Sequence, residues 1–258
     1  MVEEGKTKLY HHLKKLLEQT IADYGMIAAG DKVLVAVSGG MDSLVLLELL
    51  ATPMVFTPPF SLLAVNIDMG FAPEKGNQER LAAHLRERGY PCIMERSDIG
   101  PLAHSSYNRK NPCFLCSRLR RKRLFELAAA EGCTKIALAH HRDDIIETLL
   151  INIFYGREIA TMVPRQTIFG GALHIIRPLA YIEEHLIKKY GRQQALPAVA
   201  NLCPTSGASR RTIVKNIITE LEKDNGKVRN NIWRAMEHVK PDYLPGYGLV
   251  GAGREGGK

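Results

Sequence analysis

The chain has 258 residues, of which 45% are hydrophobic and 24% charged, with a formal net charge of +8. These values suit one large α/β domain, or one domain with a small appendage, and exclude collagenous, disordered and helix-spanning membrane chains. The acidic start, Met1-Val-Glu-Glu-Gly-Lys6, has no apolar core behind it, so a cytoplasmic protein is expected, and the basic excess favours a polyanionic partner.

Taken in chain order, Leu9, Leu13, Leu16, Leu17, Ile21 and Tyr24 recur at helical spacing. They predict an amphipathic helix within residues 1–29, with Lys14, Lys15 and Glu18 on its polar face. His11 and His12 are helical neighbours that point apart, and so read as surface residues. Val33 to Val37 is a β-branched run expected to form a buried strand, and Ser43 to Leu50 an apolar helix. Between them lies Ser38-Gly39-Gly40-Met41-Asp42-Ser43. Its glycines permit a sharp turn with open N–H groups, which join the serine hydroxyls and the helix start to form a seat for a nucleotide phosphate. No lysine follows as in a Walker loop, and Ala36 stands where a nucleophile elbow needs glycine.

Leu62 to Ile67 reads as a second strand, Gln78 to Arg88 as a helix and Tyr90 to Met94 as a third strand. This order favours a parallel, twisted sheet with helices on both faces and ligands at the strands' carboxyl ends, where Asp68 would lie near the nucleotide. Pro101 to Asn111 is polar and turn-like. Cys113 to Ala130 is expected to be a helix, Lys135 to Ala139 a fourth strand, Ile145 to Phe154 a helix and Leu173 to Ile176 a short strand. Helices over Glu183–Tyr190, Arg210–Leu221 and Lys227–His238 close the fold. The expected organisation is a nucleotide domain over 30–200, a helical region over 201–245 and a glycine-rich mobile tail over 246–258.

Five cysteines in a cytoplasmic protein point to metal or redox chemistry rather than structural disulfides. Cys113 and Cys116 form a Cys-x-x-Cys at a helix start, where the dipole and the basic run from Arg118 to Arg123 favour thiolates. Cys203, from a distant loop, is a third candidate, whereas Cys92 and Cys133 read as packing residues. The spacing alone leaves open a structural zinc site, a redox pair and a [4Fe–4S] cluster with one iron not held by the protein.

The loop at Ser38–Ser43 matches the Ser-Gly-Gly-x-Asp-Ser motif of the PP-loop ATP pyrophosphatases, whose fold is adenine nucleotide α-hydrolase-like. Further motifs follow in order: Cys113-x-x-Cys116-x-Arg-x-Arg-Arg, Ala139-His-His-Arg-Asp-Asp144, Asn152-x-Phe-Tyr-Gly156, Arg177-Pro-Leu179 and Asn201-Leu-Cys203. Together they make the chain, from about Leu9 to about Lys240, resemble the tRNA-cytidine 2-sulfurtransferases. The resemblance implies ATP-dependent adenylation of a cytidine C2 oxygen and its replacement by sulfur. It implies a [4Fe–4S] cluster on Cys113, Cys116 and Cys203, with a non-protein ligand on the fourth iron. It implies ATP and Mg²⁺ held around Ser38, Gly39, Gly40, Met41, Asp42, Ser43, Asp68 and His140, with Asp42, Asp143 and Asp144 as catalytic carboxylates. The implied partners are the anticodon loop of tRNA and a sulfur donor such as a cysteine desulfurase, with a homodimer left open. The related uridine thiolases carry two zinc fingers that five cysteines cannot supply, a lysidine synthetase needs no cysteines, and an iron–sulfur RNA-binding protein would need no intact ATP loop; all three are weaker readings.

Overall fold

Strand β1 (Lys32–Ala36) lies inside a six-stranded sheet in the computed structural model, which describes residues 7–71, 76–108, 111–199, 203–205 and 209–244. On one side it pairs with β2 (Ser61–Asp68), which pairs with β3 (Cys92–Arg96). On the other side stand β4 (Lys135–Ala137) and β6 (Leu173–Ile176), all parallel, and β5 (Arg165–Ile168) closes that edge antiparallel to β6. The order β3-β2-β1-β4-β6-β5 changes direction between β1 and β4, so their carboxyl ends flank a crevice.

The β-branched run of β1 works because both faces are covered. Val33 and Val35, with Val37 just beyond, point into the layer made by α1 (Lys8–Asp23), α2 (Met41–Ala51), α3 (Asn77–Glu87) and α7 (Glu184–Gln193). Leu34 and Ala36 point the other way, onto Leu124, Leu127 and Ala128 of α5 (Pro112–Ala130). Each fully buried valine or leucine contributes about 1.5–3 kcal/mol, so this central strand is rigidly held. A separate small core of Ile146, Val214 and Ile218 joins α6 (Arg142–Ile151) to α8 (Arg210–Asp224), with α9 (Val228–Ala235) against it.

Several expectations are corrected. Lys14 and Glu18 are buried rather than solvated. Lys14 Nζ donates to the Leu49 and Thr52 carbonyls at 2.8 and 3.0 Å, capping the end of α2. The Glu18 carboxylate accepts from the Val55 and Phe56 N–H groups. The polar face of α1 therefore anchors the connection after α2. The stretch read as turn-like opens inside the short helix α4 (Ile99–Ala103). β5 escaped the sequence because Arg165-Gln-Thr-Ile168 is an exposed edge strand and carries no apolar alternation. The tail over 246–258 and residues Asn201 and Leu202 lie outside the described residues.

Candidate active site

The turn after β1 is built for small residues. Gly39 has φ +84°, a region that side chains disfavour, and its carbonyl accepts from the Val199 N–H at 2.8 Å. Ser43 Oγ donates to the Gly40 carbonyl at 2.8 Å and accepts from the Ser38 N–H at 3.1 Å, while the Ser38 Oγ lies 3.2 Å away. The loop is thereby closed onto the first turn of α2, whose N-cap is Gly40. Met41 directs its side chain away from the loop's open side: a Cβ placed on Gly191 of α7 would stand 2.0 Å from its Sδ. Asp42 points to the crevice, and its Oδ1 is buried without a hydrogen-bond partner among the described residues. Burial holds its carboxyl above the usual range, helped by the Asp144 and Glu184 carboxylates and opposed by His141 and Lys188.

The end of β4 supplies the facing wall. His140 has a buried Nδ1 with no partner among the described residues, and burial pulls its pKa down to about 4, so the ring is neutral at pH 7. His141 and Asp144 form a reciprocal capping box at the start of α6, with the His141 N–H donating to Asp144 Oδ2 at 3.1 Å. The other Asp144 oxygen is gripped by Arg211 of α8. Asp144 remains on the crevice wall. Asp143 does not: it is buried, accepts from the Glu184 N–H at the start of α7 at 2.8 Å, and pairs with Arg229 of α9 at 3.3 Å. The two neighbouring aspartates therefore face different surroundings, one the cavity and one the helix junction.

The third wall is the start of α5. Cys113 Sγ and Cys203 Sγ each lie 3.3 Å from Thr205 Oγ1. Cys116, one turn along α5, joins Cys113, Cys203, Ser38, Asp42 and His140 around one cavity of about 480 Å³. Residues 90 apart in sequence thus meet opposite the nucleotide loop. Among the described residues no three His, Cys, Asp or Glu side chains surround a single ion position. The thiols of Cys113, Cys116 and Cys203 border that cavity. The expected thiolate activation is corrected for Cys116. Burial pushes its thiol up, the Cys203 and Cys113 sulfurs add to this, and only Arg120 opposes it. A metal that takes these sulfurs must displace their protons.

The other candidates are placed as follows. Asp68 Oδ1 accepts from the Gly70 N–H at 3.0 Å and lines an adjoining cavity of about 620 Å³; Phe71 stands in the wall of both cavities. Arg120 and Arg121 line the thiol cavity, whereas Arg123 is committed to Glu95 at 2.5 and 2.7 Å. Part of the basic C-terminal surface is neutralised: Lys188 and Lys215 both hold Glu184 at 2.5 Å, and with burial opposing them they bring its pKa down to about 2. Lys189, Arg192, Arg210 and Lys227 stay exposed. Cys133 is buried and Cys92 half-buried, both away from the cavity. The sequence reading missed Thr205 and His104 as site residues. Only the presence of His104 in a polar stretch before Cys113 hinted at it.

Comparison with known proteins identifies the family. The PP-loop domain family matches residues 6–221. The chain is 38% identical over 244 residues to the tRNA-cytidine(32) 2-sulfurtransferase of Geobacter sulfurreducens, covering 91% of this chain and 92% of that protein. It is 39% identical over 243 residues to the tRNA-cytidine(32) 2-sulfurtransferase of Methylococcus capsulatus, covering 92% and 82%. Among solved structures, the U34-tRNA thiolase NcsA from Methanococcus maripaludis with its [4Fe-4S] cluster has a TM-score of 0.72, covering 97% of this chain and 90% of that one. At 22% identity that likeness speaks for the fold alone.

Proposed function

Because the chain belongs to the tRNA-cytidine 2-sulfurtransferase family of PP-loop proteins, we propose that it uses ATP to replace the C2 oxygen of an anticodon-loop cytidine with sulfur. The observation that carries this reading is the single cavity bordered by both the Ser38–Ser43 turn and the sulfurs of Cys113, Cys116 and Cys203. A nucleotide and a sulfur-handling group can meet one substrate base there.

The chemistry divides between the walls. A pyrimidine C2 oxygen is a poor leaving group. When it attacks the α-phosphorus of ATP, the α–β bond breaks, pyrophosphate leaves and the oxygen becomes part of an AMP ester. Hydrosulfide then attacks C2, AMP departs carrying the oxygen, and the proton on sulfur is lost to solvent. Gly39, Gly40 and the first turn of α2 bind phosphate through backbone N–H groups and the helix dipole, and Ser38 and Ser43 fix the loop's shape. Asp42 and Asp144, the two carboxylates on the wall, would hold a Mg²⁺, which would offset phosphate charge as pyrophosphate leaves. Asp143 joins the starts of α7 and α9 through Glu184 and Arg229. Neutral His140 offers the nucleotide a hydrogen-bonding nitrogen without adding charge. Cys113, Cys116 and Cys203 would hold a [4Fe–4S] cluster, whose iron has the affinity for sulfur that the transfer requires.

The test is turnover. Protein loaded with iron and sulfide without oxygen, given ATP, Mg²⁺ and unmodified tRNA, should yield 2-thiocytidine by nucleoside mass spectrometry. Pyrophosphate release without any thiolated nucleoside would leave a different PP-loop reaction. A further expectation concerns tRNA. Arg120 and Arg121 stand at the cavity, so replacing both with alanine should weaken tRNA binding and reduce the slope of its salt dependence by about 2. An unchanged slope would put the phosphate contacts elsewhere.

A further inference from the structure

Phe114, Arg118, Arg121 and Phe125 follow one another along α5 at spacings of four, three and four, and so form one stripe. The stripe flanks the helix face that carries Cys113, Ser117, Arg120 and Leu124 to the thiol cavity, and Arg121 stands on the border of both. Arg118 and Arg121 are exposed, and so is Phe114, with 66% of its surface open. Neither arginine has an ion-pair partner among the described residues. Their neighbours do: Lys122 faces Glu126 at 3.8 Å, and Arg123 holds Glu95. At the far end, Phe125 meets Phe169 of the β5–β6 turn edge to face, with centroids 5.3 Å apart at 87°. Phe169 is 65% exposed and has φ +51°, a left-handed backbone that costs a bulky residue about 1–2 kcal/mol. From Phe114 to Phe125 the helix rises about 17 Å.

We propose that this stripe is a track for the single-stranded nucleotides beside the target base. One base stacks on Phe114, the phosphates beyond it meet Arg118 and Arg121, and Phe169 ends the track. The inference rests on the reading that the substrate is the anticodon loop of a tRNA. Rings take base faces, guanidinium groups take phosphates, and no carboxylate on the stripe opposes them. Two rings set apart by charges make no continuous apolar patch of the kind a second protein buries. A target base reaches the thiol cavity only when splayed out of its loop, which breaks its stacking on its neighbour. The ring of Phe114, one residue from Cys113, replaces that lost partner for the neighbouring base.

Equilibrium binding of an anticodon stem-loop RNA to the full chain tests this. Phe114→Ala should weaken binding about tenfold, the effect of losing one stacked base, and leave the salt dependence unchanged. Phe114→Trp should restore the affinity, and Arg118→Ala should lower the salt slope by about 1. A blunt RNA duplex, which offers no free base face, should bind wild type and Phe114→Ala equally. Should Phe114→Ala fail to fold, Phe114→Leu, which keeps the apolar bulk without a π face, should show the same loss. A folded variant that binds the stem-loop as wild type does overturns the track, as does an equal loss on the duplex. A dimer lost in Phe114→Ala with RNA affinity intact also overturns it and makes the ring a contact between copies. Wild type that binds neither tRNA nor the stem-loop sinks the tRNA reading itself.

Discussion

Replacing Cys113, Cys116 or Cys203 singly with serine should remove both the cluster and 2-thiocytidine formation, whereas Cys92→Ala and Cys133→Ala should retain both. The three cysteines border one cavity, drawn from α5 and from a loop 87 residues beyond Cys116. Two remaining thiolates cannot span a four-iron group, so the loss should be complete rather than graded. Cys133 packs beside Leu34 and Leu127, so its loss costs about 1 kcal/mol of stability and nothing at the site. Iron analysis, visible absorbance and nucleoside mass spectrometry on each variant read the result. A wild-type protein that is colourless, carries zinc and works in air would sink the cluster. A serine variant of any of the three that retains four irons and full turnover would remove that residue from the ligand set.

The second large effect is at Asp42. Asp42→Asn should lower ATP–pyrophosphate exchange by on the order of 100-fold or more, the scale of losing a preorganised group that handles developing charge. The same change should leave thermal stability level or raise it. Asp42 keeps a buried oxygen without a partner among the described residues, in the field of Asp144 and Glu184, so its charge costs stability in the empty site. Asparagine forfeits a favourable carboxylate–dipole contact at the start of α2, about 0.3–1 kcal/mol, but relieves that burial. Lost activity with undiminished stability marks a residue kept for function. Full exchange activity in the folded variant would remove Asp42 from the phosphate chemistry, and a melting point several degrees lower would make it a structural cap. Ser43→Ala is a poorer discriminator, because Ser43 Oγ also holds Ser38 and Gly40 in place.

The linear chain determined most of what is local. A β-branched run, two glycines and an apolar helix are contiguous, so β1, the phosphate turn and α2 could be read directly from residues 33–50. The Cys-x-x-Cys at the start of α5 and the Asp143-Asp144 pair at the start of α6 were legible for the same reason: helix starts are set by short-range signals. Motif order identified the family, because several short patterns in sequence are far more specific than any one of them. What only the tertiary structure decided were relations between distant residues. Asp143 and Asp144 are adjacent and chemically alike, yet helical geometry sends one into the α7–α9 junction and the other to the cavity. Lys14 and Glu18 fall on a polar face, but the connection after α2 lies over that face and buries them. β5 is an edge strand with no buried face, so it leaves no periodic trace. His104 and Thr205 belong to no motif. They become site residues only because the sheet's change of direction at β1 and β4 brings the ends of α4, α5 and the 203–205 segment over the same crevice.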